Sequence, residues 1–404
     1  MAKSDFLVGI EIGTTKVCVA VAEVLRSQEL RIIGIGEAPS RGLRKGEITD
    51  FDIAQACVRE ALADAEAKAN IEIHVADCIG ITGSHIESFN NRGVITLPEG
   101  EDEVTEEDCA AVQANARDAN LPAQSYIIHD ILQQYYIDGA AHIAPLGLSG
   151  SKLEADYHII HGVKSRVQNT IKCVAEVLQS VESFAFTGYA AAQAVLTPEQ
   201  KQAGAIVIDM GGGTTDFVAY VEGTLRSSGV LGVGGDHIDN DLAYGLRIPL
   251  ARAKKLKIDE SSVLLGNTLP GETITLKDDS GFAGKEVERE QLNGIVHMRV
   301  REVFEILRKR FDDAHIIDLA AAGVFLTGGC SQLRGIKSLA EDIFELPVTL
   351  TRARDLAGIT SAFENPQYSA AIGLVRYAQA ERMAEPEGGW FYGFRSLFGR
   401  MRLF

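Results

Sequence analysis

Val8-Gly-Ile-Glu-Ile-Gly-Thr-Thr-Lys-Val-Cys-Val-Ala-Val21 and, much later in the chain, Ile206-Val-Ile-Asp-Met-Gly-Gly-Gly-Thr-Thr-Asp-Phe-Val-Ala-Tyr-Val221 follow one design. Each runs from an apolar strand through an acid (Glu11, Asp209), glycine and a Thr-Thr pair into a second apolar strand. β-branched residues around a Gly-rich break read as strand–turn–strand. Glycine lets backbone N–H groups come close to an anion, and the threonine hydroxyls add donors. An acid at the strand end can hold Mg²⁺ through water, because that ion keeps much of its hydration. One such turn reads equally well as a plain hairpin. Two of matching design suggest facing halves that clamp a phosphate chain.

Neither turn is a Walker loop. The chain has no GxxxxGK[ST] and no GxGxxG, and a strand rather than a helix follows each turn. A third piece, Ala322-Gly-Val-Phe-Leu-Thr-Gly-Gly-Cys-Ser331, is an apolar strand ending in Gly328-Gly329, with a helix expected over Gln332–Leu339. Glycines at the carboxyl end of such a strand let a base or ribose lie against the backbone. Read alone, it is a tight strand–helix turn.

The bulk properties fit an acidic globular protein. The 404 residues carry a formal net charge of -17 and are 46% hydrophobic. An acidic surface argues against nucleic acid as a partner, since a phosphate backbone needs a positive face. Six scattered cysteines without a CxxC pair or adjacent histidines read as a reduced compartment and no zinc site. The start, MAKSDFLVGIEIG, does not read as a signal peptide, and no run of 18 or more apolar residues is present. A cytoplasmic protein is expected, with any membrane contact peripheral.

The end of the chain changes character. Ala380-Glu-Arg-Met-Ala-Glu-Pro-Glu-Gly-Gly389 is polar and reads as a short linker. On a helix, Trp390, Phe391, Phe394, Leu397, Phe398, Met401 and Phe404 would share one face, flanked by Arg395 and Arg402 on one side and Arg400 on the other. An aromatic stripe edged by arginine suits an anionic membrane surface. The chain's single Trp lies here, where an amphipathic ring favours the interface. Gly393 and Gly399 would weaken this helix in water. A helix docked on the protein's own core is the competing reading.

These residues carry a resemblance. Glu11–Lys16, Asp209–Asp216 and Leu326–Ser331 resemble the phosphate-1, phosphate-2 and adenosine motifs of the actin, heat-shock chaperone and sugar kinase superfamily. Phe186-Thr-Gly-Tyr-Ala-Ala-Ala192 and Tyr368-Ser-Ala-Ala-Ile-Gly-Leu374 resemble its two connecting helices. Over nearly its whole length the chain is similar to the FtsA family of bacterial cell-division proteins. Gly42-Leu-Arg-Lys-Gly46, Thr82-Gly-Ser-His-Ile86, Gly147-Leu-Ser-Gly150 and the tail take part in that similarity.

The resemblance implies an α/β fold of the actin-like, ribonuclease H-like kind, two-lobed, with an inserted subdomain and a C-terminal amphipathic helix. It implies a first core subdomain over 1–85, 165–200 and 355–384, an insert over 86–164, a second core subdomain over 201–235 and 303–354, and a small capping lobe over 236–302. Linker and membrane helix would occupy 385–404. Local patterns agree: Ile53, Cys57, Ala61 and Ala65 recur at helical spacing, as do Val167, Ile171, Val174 and Leu178. Thr105-Glu-Glu-Asp108 resembles a capping box.

The implied cofactors are ATP and Mg²⁺. Gly13, Thr14, Thr15, Lys16, Asp209, Gly211, Gly212, Gly213, Thr214, Thr215, Lys257, Gly328 and Gly329 would hold the nucleotide, with Glu11 and Asp209 reaching the metal through water. Lys16 could instead be a buried salt bridge. No general base is identifiable, so turnover is expected to be slow at most. The implied partners are the C-terminal tail of the tubulin-like protein FtsZ, downstream division proteins, an anionic membrane and further copies of the chain in filaments. Arg299 and Glu302, on an expected helix Gly294–Phe311, match the tail-binding site. From the sequence alone they read as an intrahelical ion pair on a solvated surface, and only the resemblance makes them a binding site. The implied location is peripheral, on the cytoplasmic face of the inner membrane at the division site.

Three positions depart from the pattern. Glu11 stands where actins and chaperones have Asp. Lys254, in Ala253-Lys-Lys-Leu-Lys257, replaces an acid that would contact ribose. Asp239, in Gly235-Asp-His-Ile-Asp-Asn-Asp241, replaces a frequent Thr. The competing functions are a pilus-assembly relative, expected to lack the tail anchor, and a sugar or acid kinase, which needs a catalytic Asp over a substrate hydroxyl.

Overall fold

Both quoted segments form antiparallel hairpins, and each hairpin seeds a sheet. The computed structural model describes residues 6–97, 103–118, 121–266, 269, 271–277 and 284–384. In the first sheet, strands Phe6–Ile12, Lys16–Val24 and Leu30–Pro39 meander antiparallel. Val75–Ile81 then pairs parallel with Phe6–Ile12, and Ser180–Phe186 adds parallel beyond it. A short strand, Ala357–Gly358, closes the far edge. The second sheet repeats this plan. Strands Ala205–Met210, Thr215–Val221 and Thr224–Leu231 meander, and Gly323–Thr327 and Val348–Leu350 join parallel on the other side. Numbered along the chain, five strands in each sheet lie in the order 3-2-1-4-5. Near-continuous burial of Val17–Ala22 and of Thr215–Val221 follows from layers packed on both faces.

Helices cover the sheets where small residues permit it. Helix Phe51–Ala69 is capped by the Asp50 side chain, which accepts from the Ile53 amide at 3.1 Å. It buries Cys57, Ala61 and Ala65 against the first sheet, while Ile53 is 43% exposed. The apolar stripe therefore centres on Ala54, Val58 and Ala61. Helices Thr187–Val195 and Ser369–Ala384 cross in backbone contact. A Cβ at Gly373 would lie 2.0 Å from the Ala190 carbonyl oxygen, so no larger residue fits there.

An antiparallel sheet leaves the first unit: Glu87–Thr96, Lys152–Val163, Ser125–Ile137 and Ala140–His142, in that order. Helix Glu106–Arg117 packs on it through Val112 and Ala116, around a separate small core. Thr105 and Asp108 make a reciprocal capping box at its start, with Asp doing the work of the usual Glu. The second sheet shares its core with helices Gly235–Leu246, Leu250–Asp259 and Arg289–Asp313.

Four boundaries differ from the sequence expectation. The helix expected over Gln332–Leu339 begins at Ile336, because Gly335 sits at φ 81° and only a 3-10 turn, Gly329–Gln332, precedes it. Leu178 lies beyond the end of helix Lys164–Ala175. The helix expected over Gly294–Phe311 spans Arg289–Asp313. Helix Ser369–Ala384 runs through the first part of the stretch read as linker, since Ala380-Glu-Arg-Met-Ala384 lacks a breaker before Pro386. The membrane residues Trp390, Phe391, Phe394, Arg395, Leu397, Phe398, Arg400, Met401 and Arg402 lie outside the described residues. Among the described residues, no helix is long and apolar enough to cross a membrane.

Candidate functional site: a cleft between two glycine hairpins

The two turns close by the same bond. Gly13 N–H donates to the Lys16 carbonyl at 3.0 Å, and Gly211 N–H to that of Thr214 at 2.9 Å. They also touch each other. A Cβ built at Gly212 would lie 1.8 Å from the Thr15 hydroxyl oxygen, and one at Gly213 would lie 2.2 Å from that of Thr14. Glycine is required here by proximity: any side chain would push the turns apart.

Behind the turns sit three acids and one lysine: Asp216 is buried, and Glu11, Asp209 and Lys16 are half-buried. Glu11 ends its strand opposite Cys18, and Asp209 ends its strand opposite Asp216. Burial pushes the Glu11 carboxyl up to about 7, with Lys16 pulling it down and Asp216 pushing it further up. Burial, then the charges of Glu11 and Asp216, raise Asp209 well above the usual carboxylate range. Asp216 is raised by burial to about 6, against hydrogen bonds from Thr187, Thr82 and Thr214 that favour its ionised form. Glu11 Oε2 and Lys16 Nζ are buried with no hydrogen-bond partner. The Lys16 ammonium lies 3.9 Å from the centre of the Tyr368 ring. The salt-bridge alternative for Lys16 is therefore not what the fold builds. Buried polar atoms left without partners are uncommon and call for an explanation.

The remaining expected residues surround this centre. Gly328, at φ 84°, passes so close to Asp209 that a Cβ would lie 2.2 Å from its Oδ1. Gly329 borders open space. Thr214 is buried, and Thr215 is fully buried, its hydroxyl donating to the Val233 carbonyl at 2.8 Å. Lys257 is buried in an ion pair with Asp239 at 2.8 Å, and also donates to the Gly235 carbonyl at 3.0 Å. Arg299 lies elsewhere, on helix Arg289–Asp313. It forms a two-pronged pair with Asp241 (2.6 and 3.0 Å) and contacts Glu302. Exposed Tyr244 and Met298 lie on the same two helices.

Asp216, Thr82, Thr187 and Tyr368 all lie in stretches quoted for the resemblance, but none is assigned a site role from the sequence. Thr82 donates to Asp216 at 2.9 Å across 134 residues of chain, and Thr187 donates to it too. Comparing the two hairpins could not find Asp216, because Cys18 stands at its counterpart. An acid inside the otherwise apolar run Thr215–Val221 was the available signal.

Residues 206–373 match the family model "Cell division protein FtsA", and residues 83–161 match "SHS2 domain inserted in FTSA". Cell division protein FtsA of Pseudomonas aeruginosa is 34% identical over 390 residues, covering 96% of this chain and 93% of that protein. The chain belongs to the FtsA family of cell-division proteins. FtsA of Neisseria meningitidis is 35% identical, covering 94% of this chain and 92% of that protein, and FtsA of Escherichia coli K12 is 31% identical, covering 93% and 91%. In fold the FtsA-family chain resembles the PilM-PilN type IV pilus biogenesis complex (TM-score 0.66, 14% identity, 92% of this chain and 98% of that one). It also resembles MreB5 of Spiroplasma citri bound to ADP (TM-score 0.54, 16% identity, 95% and 99%). The fold is thus actin-like, with the SHS2 insert on the antiparallel sheet that leaves the first unit.

Proposed function

We propose that this cell-division protein binds ATP between the two hairpins and uses it to control assembly. The observation that carries the reading is the pair of facing glycine turns over the buried Lys16 Nζ and Glu11 Oε2, neither of which has a hydrogen-bond partner. Backbone N–H groups of both turns, with Thr14 and Thr15, would cradle the phosphates, and Lys16 would supply the positive charge they need. A Cβ at Gly329 would meet nothing within 4 Å, so the base or ribose would approach the strand end from that side.

The acids fit a hydrated Mg²⁺. Among the described residues, no three ligand-type side chains converge on a single ion position. Glu11 and Asp209 would therefore act through water, as a small, strongly hydrated cation prefers. The ion would neutralise charge on the phosphates. Among the described residues no side chain is placed as an evident general base, so the nucleotide would serve as a switch with slow turnover at most.

The finer reading is a tether. The last residues, with Trp390 and Arg395 among them, would hold the body to an anionic membrane, and the small lobe over 236–302 would take the FtsZ tail at Arg299 and Glu302. The insert over 86–164 would carry filament contacts, and the cores over 1–85 with 165–200 and 355–384, and 201–235 with 303–354, would close on ATP. Recruitment of downstream division proteins would follow assembly. Titration calorimetry with MgATP on the full chain tests the centre of this reading. Saturable 1:1 binding is expected; heat no greater than dilution overturns it. Vesicle co-sedimentation of the full chain against a truncation lacking 388–404 tests the anchor, which falls if both forms sediment equally.

A further inference from the structure

We infer that Asp239 is a positioning residue for the second hairpin, and that its negative charge supports the turn from beneath. The inference rests on the nucleotide reading above for its effect on ATP, but not for its effect on the turn.

An ion pair, followed by hydrogen bonds, leads from Asp239 to the second glycine turn; Asp239 Oδ1 faces the Lys257 ammonium without a hydrogen bond. Its carboxylate pairs with Lys257 at 2.8 Å, both side chains being buried between helices Gly235–Leu246 and Leu250–Asp259. Lys257 donates to the Gly235 carbonyl at 3.0 Å. Gly235 N–H donates in turn to the Gly211 carbonyl at 3.0 Å, and Asp236 N–H to that of Gly212 at 2.8 Å. Cys330 Sγ–H reaches the same Gly211 carbonyl at 3.3 Å, so the strand-end glycines share the support. Space is tight at the centre: a Cβ at Gly235 would lie 3.0 Å from Lys257 Nζ and 2.8 Å from Cys330 Sγ. Lys257 cannot move without disturbing the turn that faces Thr14 and Thr15.

A buried ammonium needs a compensating charge, and removing one partner leaves the other stranded. Two lysines, Lys254 and Lys257, lie three apart on one helix and share a face. Both act on Asp239, drawing its carboxyl toward the ionised form against the raising effect of burial, with Asp236 opposing them. No acid is carried by helix Leu250–Asp259 before Asp259. The balancing charge comes from the neighbouring helix instead. Asp239 thus supplies from one helix what an acid at position 254 could supply from the other.

The test is a charge exchange in the full chain. Asp239→Asn keeps size and removes charge; Asp239→Thr does so with a smaller side chain. Each is expected to weaken MgATP binding by about tenfold and to speed hydrogen exchange at the amides of Gly211–Thr214 in the nucleotide-free protein. Adding Lys254→Glu to Asp239→Thr should bring affinity back to within about threefold of the parent and slow that exchange again. A purely steric role would not be rescued from an exposed position on another helix. Parent-like exchange at 211–214 in both single variants overturns the inference, as does a double variant no better than Asp239→Thr. If the parent chain fails to bind ATP, the nucleotide reading falls alone, and the exchange measurement still decides the role of Asp239.

Discussion

The first hairpin holds opposite charges without pairing them, whereas the second carries two acids and is braced from behind. In the first, Lys16 and Glu11 lie within one turn, and neither Lys16 Nζ nor Glu11 Oε2, both buried, has a hydrogen-bond partner. In the second, Asp209 and Asp216 face each other across the strands, and backbone N–H groups from Gly235 and Asp236 hold the turn. Two sheets of the same strand order have thus diverged in chemistry. One hairpin offers the cation that a phosphate needs, and the other concentrates the negative charge that a metal would balance. The lesson is that repetition set the geometry, while single substitutions such as Cys18 against Asp216 divided the labour.

The largest test of this division is pH. The Glu11 carboxyl is held up at about 7, above its ordinary 4.5, by burial. A raised carboxyl means that the folded protein keeps a proton that the unfolded chain has released. Its contribution is full below the unfolded value and is lost as pH rises through about 7. Through Glu11 alone the nucleotide-free protein should therefore lose on the order of 3 kcal/mol between those limits, and the raised Asp209 and Asp216 carboxyls add to the slope in the same direction. Glu11→Gln should make that slope shallower in denaturant titrations run across the range. An equally steep slope in the variant would remove Glu11 from the account.

Next comes the contact between the turns. Gly212→Val places methyl groups where Thr15 already sits, and overpacking of this kind costs about 2 kcal/mol. MgATP affinity should fall some thirtyfold by about that energy, with the circular dichroism spectrum kept. Unchanged affinity would mean that the turns need not meet.

Lys16→Met should lower MgATP affinity about tenfold, the loss of one charge-assisted bond. Thermal stability without nucleotide should hold or rise, because the buried ammonium has no hydrogen-bond partner to lose. A clear fall in both would assign Lys16 to structure. The smallest effect belongs to Thr82→Val. Removing its bond to Asp216 should cost about 1 kcal/mol in urea unfolding and push the Asp216 carboxyl further up from about 6. No change would mean that Thr187 and Thr214 satisfy Asp216 without Thr82.

The strand pairs, the actin-like class and the FtsA family were legible because they depend on local patterns. The apolar runs around Gly13 and Gly211 give hairpins by chain geometry, and the family likeness extends those motifs over most of the length. The capping box at Thr105 was equally local. Less was legible where neighbours come from afar. Arg299 reads in sequence as a partner of Glu302 three residues on, and it does reach Glu302, but its two-pronged bond goes to Asp241, 58 residues away. Thr215 reads as a phosphate donor, yet its hydroxyl is spent on Val233.

By itself, then, the sequence determined two glycine turns, each preceded by an acid, and the strands that carry them, since periodicity and turn chemistry act within a few residues. Only the tertiary structure decided that Thr14 and Thr15 abut Gly213 and Gly212, and that Lys257 leans on Asp239. It also decided that Asp216 is met by Thr82 and Thr187. The physical reason is that burial and pairing energies depend on distance in space, and those distances were set by two sheets packing about the helices Thr187–Val195 and Ser369–Ala384.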